Sequence, residues 1–257
     1  MPTMGFLHEG HLSLIRRSVA ENEKTVVSIF VNPTQFSPGE DLEKYPRNLE
    51  RDLELCRGAG ADLVFCPGAD EIYQPGACTF VDLTSLTGEL CGKTRPNYFR
   101  GVATVVTKLL CIVTPEHAYF GQKDAQQLAV VEQVVRDLDI DTRIVGCPTV
   151  READGLAKSS RNSYLSPEQR AAAVVVSAAV FEGERLVKSG ERQAEKVRVA
   201  MRDVISRQSL AKAEYIEIVD GGSIRKIERL SGRVLGAVAV IIGSTRLIDN
   251  FTVNIPE

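Results

Sequence analysis

A chain of 257 residues with a formal net charge of -3 carries no global basic field that would hold a nucleic acid. Its 44 % hydrophobic and 25 % charged residues supply a sizeable core, for one or two domains. The longest apolar run, around Ala171 to Phe181, is too short to cross a bilayer, and no secretory leader is read at the start.

In chain order, Leu12, Ile15 and Val19 keep helical spacing and predict a helix over 10–21. The β-branched run TVVSIFV predicts a strand over 25–31, covered on both faces. NLERDLELCRGAGA predicts a helix whose apolar face is Leu49, Leu53 and Cys56, stopped by Gly58 or Gly60. DLVFC reads as a strand, VATVVTKLLCIV as a helix, HAYF as a strand, 125–138 as a helix and TRIVGC as a strand. Strands alternating with helices predict an α/β domain on a Rossmann-like, doubly wound parallel sheet.

The texture changes near Pro148. SPEQR sets an N-cap at Ser166 and Pro167 at the first helical position, for a helix to about Lys188. A second helix runs to about Arg207, and AEYIEIVD, RVLGAVAVIIG and RLIDNFTV follow as strands. Helices followed by strands predict a second, smaller α+β domain, which divides the chain into 1–148 and 149–257. Six cysteines, at 56, 66, 78, 91, 111 and 147, form no C-x-x-C pair, and most sit in apolar runs. They are expected to be buried, reduced thiols of a cytoplasmic protein, not a zinc ribbon or a disulfide framework.

Four stretches carry chemistry. In MGFLHEGHL, Gly5 and Gly10 allow close backbone approach to a ligand. The helix beginning near Gly10 would point free N–H groups at an anion, and His8 and His11 could donate to phosphate oxygens. The histidine spacing is not that of a zinc site. In YFGQKDAQQ a strand ends where Gly121 permits a turn, Lys123 supplies a cation and Asp124 caps the next helix. In GLAKSSRN, Ser159, Ser160 and Arg161 offer hydroxyls and a guanidinium fork to phosphate, and Lys158 adds charge. In SIFVNPTQF a buried strand runs into Asn32, Pro33 and Gln35, where an amide could orient a small polar substrate.

Taken in order, PTMGFLHEGHLSL, VNPTQFSPGEDLEKYPR, FRGVATVVTKLL, FGQKDAQQL, VREADGLAKSSRN and RLIDN closely resemble the pantoate–β-alanine ligases, a branch of the H-x-G-H nucleotidyltransferases. The resemblance runs from Met1 to about Val253. It implies a ligase that forms a carbon–nitrogen bond from pantoate and β-alanine through pantoyl adenylate, releasing pyrophosphate and AMP, with magnesium accompanying ATP. It also implies a cytoplasmic homodimer with no nucleic-acid or membrane partner. The nucleotide loop maps onto Met4, Gly5, Phe6, Leu7, His8, Glu9, Gly10 and His11, with His11 as proton donor. Further ATP contacts map onto Gly121, Gln122, Lys123 and Asp124, onto Val150 at the adenine, and onto Lys158, Ser159, Ser160 and Arg161. Gln35 and Gln127 map onto pantoate, Gln35 also lying near β-alanine. His8, His11 and Lys123 are the expected catalytic residues, and no metal-ligating side chain is assigned.

Two positions depart from the resemblance, Gln122 in place of Glu and Lys158 in place of Met or Leu. Members also carry a helix and a first strand before P-T-M-G, so the sheet is expected to lack a member beside the site. Two other readings stay open on the residues alone: another H-x-G-H nucleotidyltransferase, which would leave the nucleotide on its product, and a non-catalytic nucleotide-binding relative.

Overall fold

The computed structural model describes residues 1–37 and 39–256. The chain divides into two compact units. The first takes in Met1–Thr84, Gly92–Gln122 and Gln127–Val150, and the second takes in Ser85–Cys91, Lys123–Gln126 and Arg151–Glu257. The texture change near Pro148 thus falls close to the main divide. Two stretches that sequence places in the first domain, 85–91 and 123–126, cluster with the second unit.

In the first unit, β1 (Pro2–Thr3) leads through a loop into α1 (Glu9–Glu21) and β2 (Val26–Ile29). Next come α2 (Leu49–Gly58), β3 (Leu63–Phe65), and the short helices α3 (Ala69–Ile72) and α4 (Leu90–Thr94). They are followed by α5 (Tyr98–Val113), β4 (His117–Gly121), α6 (Ala125–Asp137) and β5 (Arg143–Cys147). β1, β2 and β3 pair in parallel in the order β1-β2-β3, and β4 pairs in parallel with β5. β1 also approaches β4, although the two are not joined in one sheet.

The expected loss of a first strand is corrected in part. Pro2 and Thr3 themselves form it, in register with Ser28 and Ile29. Ser28 N–H donates to Met1 O at 3.0 Å and Phe30 N–H to Thr3 O at 3.0 Å. The central strand therefore keeps its ladder bonds on the side facing β1 over this stretch. β2 is shorter than the run 25–31, because Thr25 N–H turns to the Asp62 carboxylate, at 2.9 Å.

The predicted inner face of α2 is also corrected. Leu49 and Leu53 are exposed, whereas Asp52 and Cys56 are buried. Cys56 packs with Leu7, Leu12, Ile15 and Val27, and Asp52 faces the β1–α1 loop. The thiols divide evenly. Cys56, Cys91 and Cys147 are buried, but Cys66, Cys78 and Cys111 are exposed, and none of the six is bridged.

The second unit is built on α7 (Pro167–Lys188) and α8 (Ala194–Ser206), over the antiparallel sheet β6 (Ala211–Asp220), β7 (Gly232–Ile242) and β8 (Thr245–Ile255). Ser166 caps α7 and exchanges bonds with Gln169 in a capping box, with Pro167 at the first turn, as the sequence predicts. Val176, Val180, Val197 and Met201 of the helices meet Ile218, Val238, Val240 and Phe251 of the sheet in one core. The parallel strands and this antiparallel sheet are separate, so among the described residues no single sheet runs through the chain.

Candidate active site

Ligands of open α/β sheets bind beyond the carboxyl ends of the strands, where the strand order reverses. In the first unit β1 and β4 are the strands at which the two parallel sheets approach each other. The segments leaving the carboxyl ends of β1, β2 and β4 carry His8 and His11, Asn32 and Gln35, and Gly121 and Gln122.

The loop after β1 is tightly shaped. Gly5 has φ +79°, and Phe6 follows at φ +50°, a left-handed conformation that a side-chain-bearing residue adopts at about 1–2 kcal/mol. A Cβ on Gly5 would stand 3.0 Å from Asp52 Oδ2 and 3.1 Å from Ile29 Cγ2. The loop ends at His8, which is the N-cap of α1. Gly10 N–H donates to His8 Nδ1 at 3.1 Å, and His8 N–H donates to His11 Nδ1 at 3.3 Å.

This geometry corrects the expected anion site. Gly10 lies inside the helix, and its N–H is taken by the His8 imidazole. The N–H groups of His11 and Leu12 are bonded to His8 O at 2.8 and 3.1 Å. The helix end thus spends these donors internally. In exchange both rings are fixed in one tautomer, because an Nδ1 that accepts a hydrogen bond leaves the proton on Nε2. The two rings lie with centroids 4.0 Å apart, each with its proton on Nε2. That pair suits oxygens on which negative charge develops.

Gln35 is buried on a 3-10 turn, Pro33–Gln35, that follows β2. Its Nε2 donates to Met4 Sδ at 3.2 Å, and its Oε1 accepts from Asn32 Nδ2 at 3.0 Å. Asn32 is itself locked, donating to Gly101 O at 3.2 Å and accepting from Tyr73 OH at 2.8 Å. Arg95 donates to Gln35 O at 3.2 Å, pairs with Glu40 at 2.5 Å, and lies over the Tyr98 ring at 3.8 Å. Tyr98 OH in turn reaches Gln127 Oε1 at 3.4 Å. The two glutamines expected to hold pantoate are thus joined through Arg95 and Tyr98, and Gln35 also touches Met4 of the β1–α1 loop. Sequence reading missed Arg95, Tyr98 and Tyr73. Only RPNYFR, as a charged and aromatic stretch opening a helix, hints at the first two.

Gly121 ends β4 opposite Cys147. Its φ is not positive and a Cβ there would meet nothing within 4 Å, so the turn does not require glycine; the position leaves open space instead. Asp124 closes a 3-10 turn, Gln122–Asp124, that runs straight into α6, so it lies within the helical run and is not an outside cap. Gln122 packs toward Gly146, where an added Cβ would stand 3.4 Å from Gln122 Nε2. Val150 is half-buried at the end of the first unit.

In the second unit two neighbours on β8 hold the segments that carry Lys123 and residues 158–161. Asn250 donates to Lys123 O at 2.7 Å, which fixes the backbone under the lysine. Asp249, buried, pairs with both terminal nitrogens of Arg151 at 2.7 and 3.0 Å, and Arg151 also donates to Gly155 O. This anchors the turn that delivers residues 158–161. Ser159 caps a 3-10 helix, Ser160–Tyr164, by accepting from Arg161 N–H at 3.3 Å. Lys158 lies 2.8 Å from Glu152, so the charge that departs from the resemblance is offset by its neighbour.

A cavity of about 560 Å³ elsewhere in the first unit is lined by Val106, Leu109, Leu110 and Val113 of α5 and by Met1, Val26 and His117. It sits at the amino ends of β1, β2 and β4, away from His8 and His11, and its lining also carries Glu21, Glu23 and Glu116, whose charges do not suit a triphosphate.

The sequence profile of the family described as pantoate-beta-alanine ligase matches residues 1–252. The pantothenate synthetase of Acetivibrio thermocellus is 53 % identical over 99 % of this chain and 91 % of its own length. That of Ruminiclostridium cellulolyticum is 54 % identical over 98 % of this chain and 89 % of its own. The crystal structure of pantothenate synthetase from Thermus thermophilus superposes with a TM-score of 0.94 at 45 % identity, covering 97 % of this chain and 91 % of that one. A Francisella tularensis pantoate-beta-alanine ligase, crystallised with beta-gamma ATP and beta-alanine, has a TM-score of 0.78 at 35 % identity over 97 % of this chain and 87 % of that one. On the match over residues 1–252 and on these relatives, the chain belongs to the pantoate–beta-alanine ligase family.

Proposed function

We propose that this ligase joins pantoate to β-alanine through pantoyl adenylate, and that the histidine pair and the two glutamines carry the first half-reaction. A pantoate carboxylate oxygen attacks the α-phosphorus of ATP. The bond from that phosphorus to the bridging oxygen breaks, and pyrophosphate leaves. The β-alanine amine then attacks the acyl carbon, the acyl–oxygen bond breaks, and AMP leaves as the amine sheds a proton. Negative charge grows on phosphoryl oxygens in the first step, so positioning and preorganised donors supply the catalysis.

The observation that carries the reading is the pair of imidazoles, ring centroids 4.0 Å apart, at the end of a loop that Gln35 touches through Met4. His8 and His11 donate to the oxygens around the reacting phosphorus, and His11 is the proton donor. Gln35 and Gln127 hold pantoate in line, with Gln35 also near β-alanine. Lys123 and residues 158–161 meet phosphate charge, Gly121, Gln122 and Asp124 shape the nucleotide contact, and Val150 touches adenine. The domain over 1–148 holds pantoate and the nucleotide loop, and 149–257 adds the K-S-S-R loop.

Magnesium enters as part of the ATP substrate. Among the described residues no group of three or more His, Cys, Asp or Glu side chains converges as a metal site. No helix among the described residues is long and apolar enough to cross a membrane. A cytoplasmic homodimer is part of the proposal, in keeping with six unbridged thiols.

An omission series tests it. With ATP, magnesium and pantoate alone, a burst of about one pyrophosphate per active site is expected. Adding β-alanine gives continuous release of AMP and pantothenate. A product that keeps the nucleotide, or pyrophosphate release that ignores pantoate, would overturn the reading.

A further inference from the structure

We propose that Asp52 is the positioning residue of the adenylate-forming loop, a role that rests on the function proposed above. Asp52 lies on α2, far in sequence from the loop, and its side chain is 1 % exposed. Both carboxylate oxygens are spent on the loop. Oδ2 accepts from Phe6 N–H at 2.6 Å and Oδ1 from Leu7 N–H at 2.8 Å. A carboxylate in this position is not needed to cap α2, because Asn48 already accepts from Arg51 N–H at 3.1 Å.

Buried carboxylates are costly unless they are paired and hydrogen-bonded, and here the N–H groups of the strained Phe6 and its neighbour, with Arg51 Nη1 3.7 Å from Oδ1, meet that need. The next backbone donor along the chain, His8 N–H, binds His11 Nδ1. Asp52 therefore fixes the two residues just before the imidazole pair, and sets where both Nε2–H groups point. Arg51 grips the same loop from outside, donating to Leu7 O at 3.0 Å with its side chain 45 % exposed. Gly5 completes the coupling, since a Cβ there would meet Asp52 Oδ2 at 3.0 Å. Asp52 touches no reacting atom in this account. It acts through the backbone, on the placement of the histidines.

In Asp52→Asn the shape is kept, but an amide NH₂ is set against one of the two N–H donors. The experiment measures pantoate-dependent exchange of labelled pyrophosphate into ATP, together with ATP binding by calorimetry, below the melting temperature. The expected result is an exchange kcat lowered by about 10–100-fold, as for a misplacement of about 1 Å. ATP affinity should stay within about threefold, because the loss falls on the transition state. An unchanged kcat, or equal losses in kcat and affinity, would overturn the role. Should Asp52→Asn not fold, Arg51→Met, on a partly exposed side chain, decides the matter. It should lower the exchange kcat about 3–10-fold, as for one hydrogen bond, and an unchanged value would overturn the proposal. Absence of exchange in the wild-type protein would overturn the proposed function instead, so the two failures are distinct.

Discussion

His8 and His11 serve as donors because of what their Nδ1 atoms do. Each Nδ1 accepts a backbone N–H, and this fixes the proton on Nε2. His11→Ala is therefore expected to lower adenylate formation by roughly 10²–10³, as for the loss of one preorganised donor. Single-turnover kinetics and ATP titration check this, and ATP affinity should change less than the rate. The H-x-G-H spacing points to the pair as the phosphate contacts proposed above. The tautomer was not legible, because it depends on His8, and not Gly10, standing at the helix start. Asp52 was invisible for another reason. It reaches the loop across a long stretch of chain, from a helix whose inner face the apolar spacing assigns to Leu49 and Leu53. Its neighbour Cys56 gives a second test. Burial pushes that thiol up to about 11, so at pH 8 roughly a thousandth is thiolate. Iodoacetamide at pH 8, read by mass spectrometry, should label Cys78 and Cys111 well before Cys56.

Among the elements, the contact of α5 with the 3-10 turn Pro33–Gln35 most directly shapes the substrate side. The helix approaches so closely that a Cβ on Gly101 would stand 2.4 Å from Thr34 O. Backbone cannot give way as a flexible side chain does, so Gly101→Ala must displace the turn that carries Gln35. It is expected to destabilise the protein by about 1–3 kcal/mol, as overpacking does, and to raise KM for pantoate. Thermal unfolding and steady-state kinetics measure the two effects. The long helices and the parallel strands were readable from alternation and periodicity, since α5, α6 and α7 each span three turns or more. The brief pieces were not. α3 and α4 have four and five residues, too few to show a helical period, and β1 has two. The Arg95–Tyr98 link between the glutamines sits at the junction of α4 and α5, just past one such piece, which is why the motifs did not reveal it.

At the scale of the molecule, the division into two units was visible in the switch from alternating elements to helices followed by strands. The assignment of 85–91 and 123–126 was not, because long-range bonds decide it. Gln126 Nε2 donates to Leu86 O and Glu89 O, each at 2.8 Å, and Asn250 holds Lys123 O. RLIDN likewise looked like a plain strand, yet Asp249 and Asn250 anchor the segments carrying residues 158–161 and Lys123. The whole arrangement serves one claim, that a pantoate oxygen becomes bonded to the α-phosphorus of ATP. Pantoate labelled with oxygen-18 in its carboxylate tests that claim most directly, with AMP and pantothenate read by mass spectrometry. The account predicts one labelled oxygen in each AMP and the other retained in the amide carbonyl of pantothenate. Unlabelled AMP, or label appearing in inorganic phosphate beside ADP, would contradict it.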